Sequence, residues 1–557
     1  MILGAFWSSP SACYREAPLV ERRVHEACSL GRRLSTPLGP LWSWQEGPTT
    51  ETQSFETATP KTGAGSFIDG YVVGDSRQIV SLASCGGSFN HIIWELDPDC
   101  VRIIGDRLGF RCLYYWTPPD RTKLVVASRL ELLKRAVPDL QPDPQAFAEQ
   151  MLLSSVIGDK GLLKGVRRLA PGEVLEISQC GARSSDGSDG LSWGNYHSGL
   201  TVDDAARLVL ETASEVVTES AGSAALTISL SGGLDSRFLL LLALESCRGH
   251  SSAITLGSSG WIDARLAGGV CARSEVPLVR VTPPRQISVG QYVSTVKSLE
   301  HVSDYMSPFW LHKYGCALAR AANTVFNGFL GGPLTGGALR WCTETASDWN
   351  SITENWYKYV NKCNMPRRWV QRIIRLDVIG IERAMVAHLT RLDPATDRSF
   401  QQAQFLEMRV RQTGFVSLGT YNLFRNWCKV RVPFTDRRMV ELFTNLGIDC
   451  LQDQRAYTHA LCQIDKTGVP VASTSSRLLN PSTYTQGPRR CVDQGFTRLS
   501  HQFQEYIRAH EDILTDCWDV GEIVRLFEVA ETRGGEYVKA ALIAFNAAAL
   551  WMALGSE

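Results

Sequence analysis

The stretch LTISLSGGLDSRFLL, Leu226 to Leu240, holds the residue types of an anion-binding turn. An apolar run with β-branched residues stops at Ser231-Gly232-Gly233, and an apolar helical pattern starts just after Asp235. In a parallel sheet, ligands bind at the carboxyl ends of the strands. Two glycines let backbone N–H groups come close to a ligand, and a following helix adds free N–H groups and the positive end of its dipole. The spacing therefore predicts a phosphate cradle. It lacks the lysine of a Walker loop and is too short for one. Asp235 would repel phosphate unless a cation lay between them, so the residue types call for Mg²⁺ held by Asp235 and by phosphate oxygens. A tight βα turn whose serines only cap the helix is the plainer alternative, and residue types alone leave both open.

The flanking elements must place this turn. TVDDAARLVLETASEVVTES (residues 201–220) has helical spacing, with Asp203 and Asp204 near its start. After the strand into Ser231 come a helix SRFLLLLALESC, a strand SSAITLG, a helix DARLAGGVCAR and a strand VPLVRVT. Strands alternating with helices predict a parallel sheet with crossover helices. Ahead of this region GYVVG, QIVSLAS, FNHIIWEL, VRIIGD, CLYYW and KLVVAS read as closely spaced strands. Residues 35–66, rich in Ser, Thr, Gly and Pro, read as a surface excursion with little regular structure, and the polar stretch 178–199 as a linker. From about residue 345 the pattern is mostly helical. The expected fold class is α/β: an α+β layered sandwich over residues 1–195, then a parallel-sheet α/β domain with a helical C-terminal part over 200–557.

SGGLDS, Ser231 to Ser236, resembles the pyrophosphate-binding loop of the ATP pyrophosphatase superfamily, whose members split ATP into AMP and pyrophosphate. GDRLGFRCLYYW (105–116), VVASRLELL (125–133) and KGVRRLAPGEVLEIS (164–178) resemble, in order, landmarks of the glutaminase-like domain of asparagine synthetases. RVPFTDRRMVELF (431–443) resembles a segment of their synthetase domain. The resemblance to the asparagine synthetase-like family spans most of the chain. It implies ATP and Mg²⁺ as cofactors, with Leu230, Ser231, Gly232, Gly233, Asp235, Ser236, Leu256, Asn327 and Gly328 around ATP and pyrophosphate, and Asp235 on the metal.

The sequence departs from that family at several points. Glutamine-using members carry a cysteine directly after the initiator methionine, acting as nucleophile with its own amine as base. Here Ile2 stands there, Cys13 is internal, and GGSFNHIIW (86–94) is a poor match for the segment that holds glutamine. The first domain is thus expected to be a retained scaffold, as in β-lactam synthetases and lasso peptide cyclases, whose amine comes from the substrate. In NGFLGGPLTGG (327–337), Gly332 stands where a second Mg²⁺-binding aspartate is usual, and Phe329 where relatives place a Glu or Tyr that works on the amine. Asp304, Glu344 and Asp348 are candidate replacements, with a solvated surface acid the preferred reading of each. The family's late lysine, which steadies the transition states, has Lys466 and Arg477 as its candidates; a solvated surface charge is the other reading of each. Asp263 either helps orient substrate or caps the helix it opens.

Composition closes off other classes. Lysine plus arginine equals aspartate plus glutamate, 57 each, which gives no electrostatic case for nucleic acid or an anionic membrane. Sixteen cysteines without a C-x-x-C pair argue against zinc ribbons and redox motifs, and the start has no secretory pattern, so reduced thiols and a cytoplasmic location are expected. KAALIAFNAAALWMAL (539–554) is short for a membrane span, alanine-rich and interrupted by Asn546, hence a buried helix. The expected activity is ATP-dependent amide formation, with macrolactam closure of a lasso-type peptide first. The substrate would be a peptide or a small amino-acid-like molecule, with a leader-binding protein and leader peptidase as implied partners. A small-molecule amide or β-lactam synthetase, and a non-catalytic protein that binds nucleotide or a partner, are the alternatives.

Overall fold

The computed structural model describes residues 2–8, 16–20, 22, 32–36, 38–43, 65–73, 86–96, 99–185, 191, 193–194, 197, 199–221, 226–246, 251–321, 324–337, 348–362, 364–425, 427–470, 481–514 and 516–555. The first part of the chain builds two antiparallel sheets. One, ordered β2-β3-β1-β8-β7-β9, uses β1 (Ile2–Trp7), β2 (Arg32–Thr36), β3 (Gly39–Ser43), β7 (Tyr114–Trp116), β8 (Lys123–Ala127) and β9 (Arg167–Arg168). The other, ordered β11-β10-β6-β5-β4, uses β4 (Gly65–Val73), β5 (Gly86–Leu96), β6 (Asp99–Ile104), β10 (Val174–Ser178) and β11 (Gly181–Ser185).

Side chains alternate across a strand, so a sheet covered on both faces reads as an unbroken apolar run. In β1, Ile2 and Phe6 enter the core between the two sheets, while Leu3, Ala5 and Trp7 enter the larger core on the other side. Leu124 and Val126 of β8 follow the first pair, Val125 and Ala127 the second. Ile2 is fully buried, and its N–H donates to the Ser128 hydroxyl at 2.9 Å. Two stretches read as irregular contain strands. Residues 35–66 include β3, held by the buried Leu38 and Leu41, and the stretch 178–199 begins with the end of β10 and β11, paired in register from Val174↔Ser185 to Ser178↔Gly181. The expected strand QIVSLAS lies outside the described residues.

The second part has a parallel sheet ordered β14-β13-β12-β15-β16: β12 (Leu226–Ser229), β13 (Ser251–Leu256), β14 (Leu278–Val281), β15 (Thr324–Phe326) and β16 (Lys429–Arg431). The strand order reverses between β12 and β15, which makes the crevice beyond their carboxyl ends a topological switch point. The helices Val202–Ala221, Leu234–Ser246 and Ile262–Arg273 match the apolar periodicity of the sequence. Past residue 348 helices dominate, and β16 is the exception, three residues that return to the sheet edge. The helix Glu536–Gly555 is long and apolar enough to cross a membrane, yet 83% of its apolar window is buried in the protein. Its interrupting residue, Asn546, donates to the Val302 and Asp304 carbonyls at 3.1 and 3.3 Å, which tethers the segment leading to the crevice.

The helices Leu130–Ala136 and Pro144–Leu153 join the two parts through one continuous core. At that seam Glu300 accepts from the Leu130 N–H at 2.7 Å, with the Arg129 guanidinium 3.7 Å away. Burial pushes the Glu300 carboxyl up to about 7, against the opposing pull of Arg129. The sign follows from linkage: the folded value exceeds the ordinary carboxylate value, so stability present below the ordinary range is lost as pH rises through about 7. Glu300→Gln keeps the acceptor for Leu130 and removes the titration. Its melting temperature is expected to fall less than that of the wild type between about pH 5 and pH 8. Equal slopes in thermal scans would show that Glu300 does not titrate there.

Candidate active site

A cavity of about 380 Å³ lies at the switch point, lined by the ends of β12 and β13, the loop after β15, and the helices and turns behind them. Leu230, Ser231, Gly233, Asp235, Ser236, Leu256, Asn327 and Gly328 all line it. Gly232 is buried in the same turn.

The turn is held by its own short side chains. The Ser231 N–H donates to the Ser236 hydroxyl at 3.0 Å, and the two serine hydroxyls lie 3.1 Å apart. The Gly233 N–H donates to the Ser231 hydroxyl at 3.2 Å, and the Gly232 N–H to Asp263 Oδ1 at 2.6 Å. Asp263 therefore acts on the cradle itself, while the residue that caps its helix, Trp261, offers no side-chain bond. The serines do more than cap: with Asp263 they keep three successive donors in line, each on a partner that a rotation about one bond can withdraw.

Asp235 sits in the first turn of the Leu234–Ser246 helix, with its carboxyl wedged against the loop after β15. Burial pushes this carboxyl up to about 7, opposed by the Tyr457 hydroxyl facing it and by the Gly332 N–H. Tyr457 lies near enough to bias the titration but outside hydrogen-bond geometry, so Asp235 Oδ1 and the Tyr457 hydroxyl are both buried without a partner. An orphaned carboxylate oxygen beside a row of backbone N–H donors suits a cation shared with an anionic ligand. Glycine makes the approach possible: a Cβ on Gly331 would lie 2.4 Å from Asp235 Cγ and 2.6 Å from Oδ1, and one on Gly328 2.8 Å from Asp235 Cβ. Gly331→Ala must push the carboxyl aside, so Mg·ATP binding is expected to weaken about tenfold or more, while a matching Gly332→Ala, whose Cβ has 3.9 Å to Oδ2, stays within about threefold of wild type. Calorimetric titration of the two variants side by side checks this, and similar affinities would show that Asp235 does not need that space.

Gly332 does face Asp235, so a side chain at that position would stand beside its carboxyl. The candidate replacements are engaged locally: Asp304 accepts from the Ser307 N–H and Asp348 from the Ser351 N–H, and Glu344 lies outside the described residues. Among the described residues no cluster of three or more His, Cys, Asp or Glu is placed to hold a metal. Phe329 forms a wall against Tyr421 and Phe424, at ring distances of 6.4 and 6.1 Å. Lys466 is corrected. It is exposed, does not line the cavity, and its ammonium donates to the Gln463 carbonyl at 2.7 Å, because the turn at Asp465 and Thr467 points it outward. Arg477 lies outside the described residues.

Sequence reasoning missed several lining residues. Tyr314, whose hydroxyl lies 2.8 Å from that of Ser229, comes from the helix Leu311–Ala321. Trp261 and Trp310 meet edge to face at 6.1 Å, and Pro488 arrives from the helix Pro481–Arg508. Trp261 stands two residues before Asp263 and could have been noticed; Tyr314, Trp310 and Pro488 carry no local signal.

Comparison with known families matches residues 78–186 to a glutamine amidotransferase domain. The match runs from β5 to β11 and takes in both helices of the seam, so this part of the chain is similar to a glutamine amidotransferase domain. None of the matched residues lines the crevice. No curated protein gives a significant match to the chain.

Proposed function

We propose that the crevice binds Mg·ATP, activates a substrate carboxylate as an acyl-adenylate, and passes it to an amine of the same substrate, closing a macrolactam in a lasso-type peptide. The reading is carried by the Ser231–Ser236 turn at the switch point, with the orphaned Asp235 carboxylate beside its N–H groups.

The substrate carboxylate attacks the α-phosphorus of ATP, and the bond from that phosphorus to the pyrophosphate oxygen breaks. The departing pyrophosphate competes with the serine hydroxyls and Asp263 for the N–H groups of Ser231, Gly232 and Gly233, gaining their charge-assisted bonds. Mg²⁺ on Asp235 would neutralise phosphate charge there. The amine then attacks the acyl carbon, AMP leaves, and the amine gives up one proton. Phe329, Phe424, Leu311 and the two tryptophans wall the cavity with apolar surface, which keeps water from the adenylate.

A peptide with a free N-terminus and an internal Asp or Glu, incubated with the protein and Mg·ATP, is expected to lose one water as AMP accumulates. ADP as the nucleotide product would sink the adenylation step. AMP release with small amino-acid-like substrates instead of peptides would move the protein to the small-molecule synthetases. Phe329 and Gly332 favour one other reading, nucleotide binding without turnover, which predicts bound ATP and no AMP with any substrate.

A further inference from the structure

Two further cavities flank the crevice, of about 740 and 520 Å³. They share the loop Thr282–Ile287 and Phe309 as a common wall, and each touches the crevice through a tryptophan, Trp261 for the larger and Trp310 for the smaller. Arg285, Arg490 and Arg498 line the larger, and Arg280, Lys313 and Arg320 the smaller; all six are exposed. Among the described residues no Asp or Glu lines either cavity. In a chain with 57 basic and 57 acidic residues, a belt with six cations and no acid is a local charge excess that the net charge conceals.

The six are not equally committed. Arg498 donates to the Arg285 carbonyl, clamping the loop to the helix Pro481–Arg508, and Arg280 donates to the Ala264 carbonyl at 3.3 Å. The side chains of Arg285, Arg490, Lys313 and Arg320 have no carboxylate partner among the described residues. Unpaired cations around a concave surface raise the local concentration of an anionic ligand and leave their hydrogen-bond donors available to it. Between them Pro283, Pro284 and Ile287 of the loop, all partly exposed, supply apolar surface of the kind that receives an extended peptide.

We infer that this belt docks an acidic peptide segment, one rich in Asp and Glu, and delivers it to the crevice across Trp261 and Trp310. The inference rests on the proposed function for what happens next, since a peptide carboxylate is the group to be activated, but docking itself does not require turnover. Association is steered by the cations and is therefore salt-sensitive.

The test uses the whole protein and three labelled probes, oligoglutamate, oligolysine and oligouridylate, followed by fluorescence anisotropy, with Mg·ATP titrated by calorimetry in parallel. Oligoglutamate is expected to bind and to weaken as salt is raised, and oligolysine not to bind. Arg285→Glu with Arg490→Glu, and separately Lys313→Glu with Arg320→Glu, should each weaken oligoglutamate about tenfold or more. These four side chains make no bond within the described fold, and Mg·ATP affinity should be unchanged in both double variants. Wild-type protein that ignores oligoglutamate, or double variants that bind it as the wild type does, would overturn the inference. Tighter binding of oligouridylate than of oligoglutamate would replace the peptide by nucleic acid. Failure of the nucleotide reading shows only in the calorimetry, so the two failures are told apart.

Discussion

Asp235→Asn is expected to weaken magnesium-dependent ATP binding about 100-fold while leaving the fold intact, and to raise rather than lower the stability of the ligand-free protein above neutral pH. The carboxyl is isosteric with the amide, and an amide oxygen still accepts from the Gly332 N–H. What is lost is the negative charge and the orphaned Oδ1 as a metal ligand. Neutral amide oxygens hold Mg²⁺ poorly, so the affinity should fall about 100-fold, or ~2.8 kcal/mol. Stability moves the other way. Burial raises the Asp235 carboxyl to about 7, above the ordinary carboxylate range, so the folded protein pays for its ionisation as pH rises through that value. Asparagine removes the cost, and thermal unfolding near pH 8 should show an equal or higher midpoint for the variant. A purely structural aspartate would lose stability on the same substitution and leave ATP binding where it was. That paired outcome, read by calorimetry and thermal unfolding, would overturn the assignment of Asp235 to the metal.

How far the site could be read from sequence depends on whether a residue's partner is near in sequence. The Ser231–Ser236 turn was legible because its strand, glycines and helix are contiguous, and the turn's bonds among Ser231, Gly233 and Ser236 close within six residues. The alternation of Ile2, Leu3, Ala5 and Phe6 between two cores shows in the sequence only as an apolar run, and which face belongs to which core is decided by β8 and β3, far along the chain. Tyr457 reaches Asp235 across more than two hundred residues, with nothing in its neighbourhood to announce it. Lys466 failed for the opposite reason. It was a candidate for its positive charge and its region of the chain alone, without a clear match in position, and the orientation of the side chain is fixed by a turn whose hydrogen bonds involve its neighbours Asp465 and Thr467.

That same turn carries the largest expected effect on stability. Arg237, directly after the serine that closes the cradle, is fully buried. Its guanidinium donates to Asp465 Oδ2 at 3.1 Å, to the Val469 carbonyl at 2.5 Å and to the Pro470 carbonyl at 2.9 Å, pinning residues 465–470 to the start of the cradle's helix. Burial alone would raise the Asp465 carboxyl, but bonds from Thr467 and Arg237 overcome it and hold it below the ordinary range. Arg237→Leu fills similar space yet leaves a carboxylate and two carbonyls without their donor, and breaking such a pair on one side costs ~3–5 kcal/mol. The stability lent by Asp465 is present above the ordinary carboxylate range and lost as pH falls, so the variant's deficit should be widest near neutrality and narrow in acid. Arg237→Lys keeps the charge and one contact but not the planar fork, and should fall between leucine and the wild type. Urea unfolding across that pH range separates these outcomes. If leucine unfolds with the wild type at neutral pH, the guanidinium is not holding the turn. If leucine is destabilised and magnesium-dependent ATP binding falls with it, the cradle owes its shape to a residue that never touches the nucleotide.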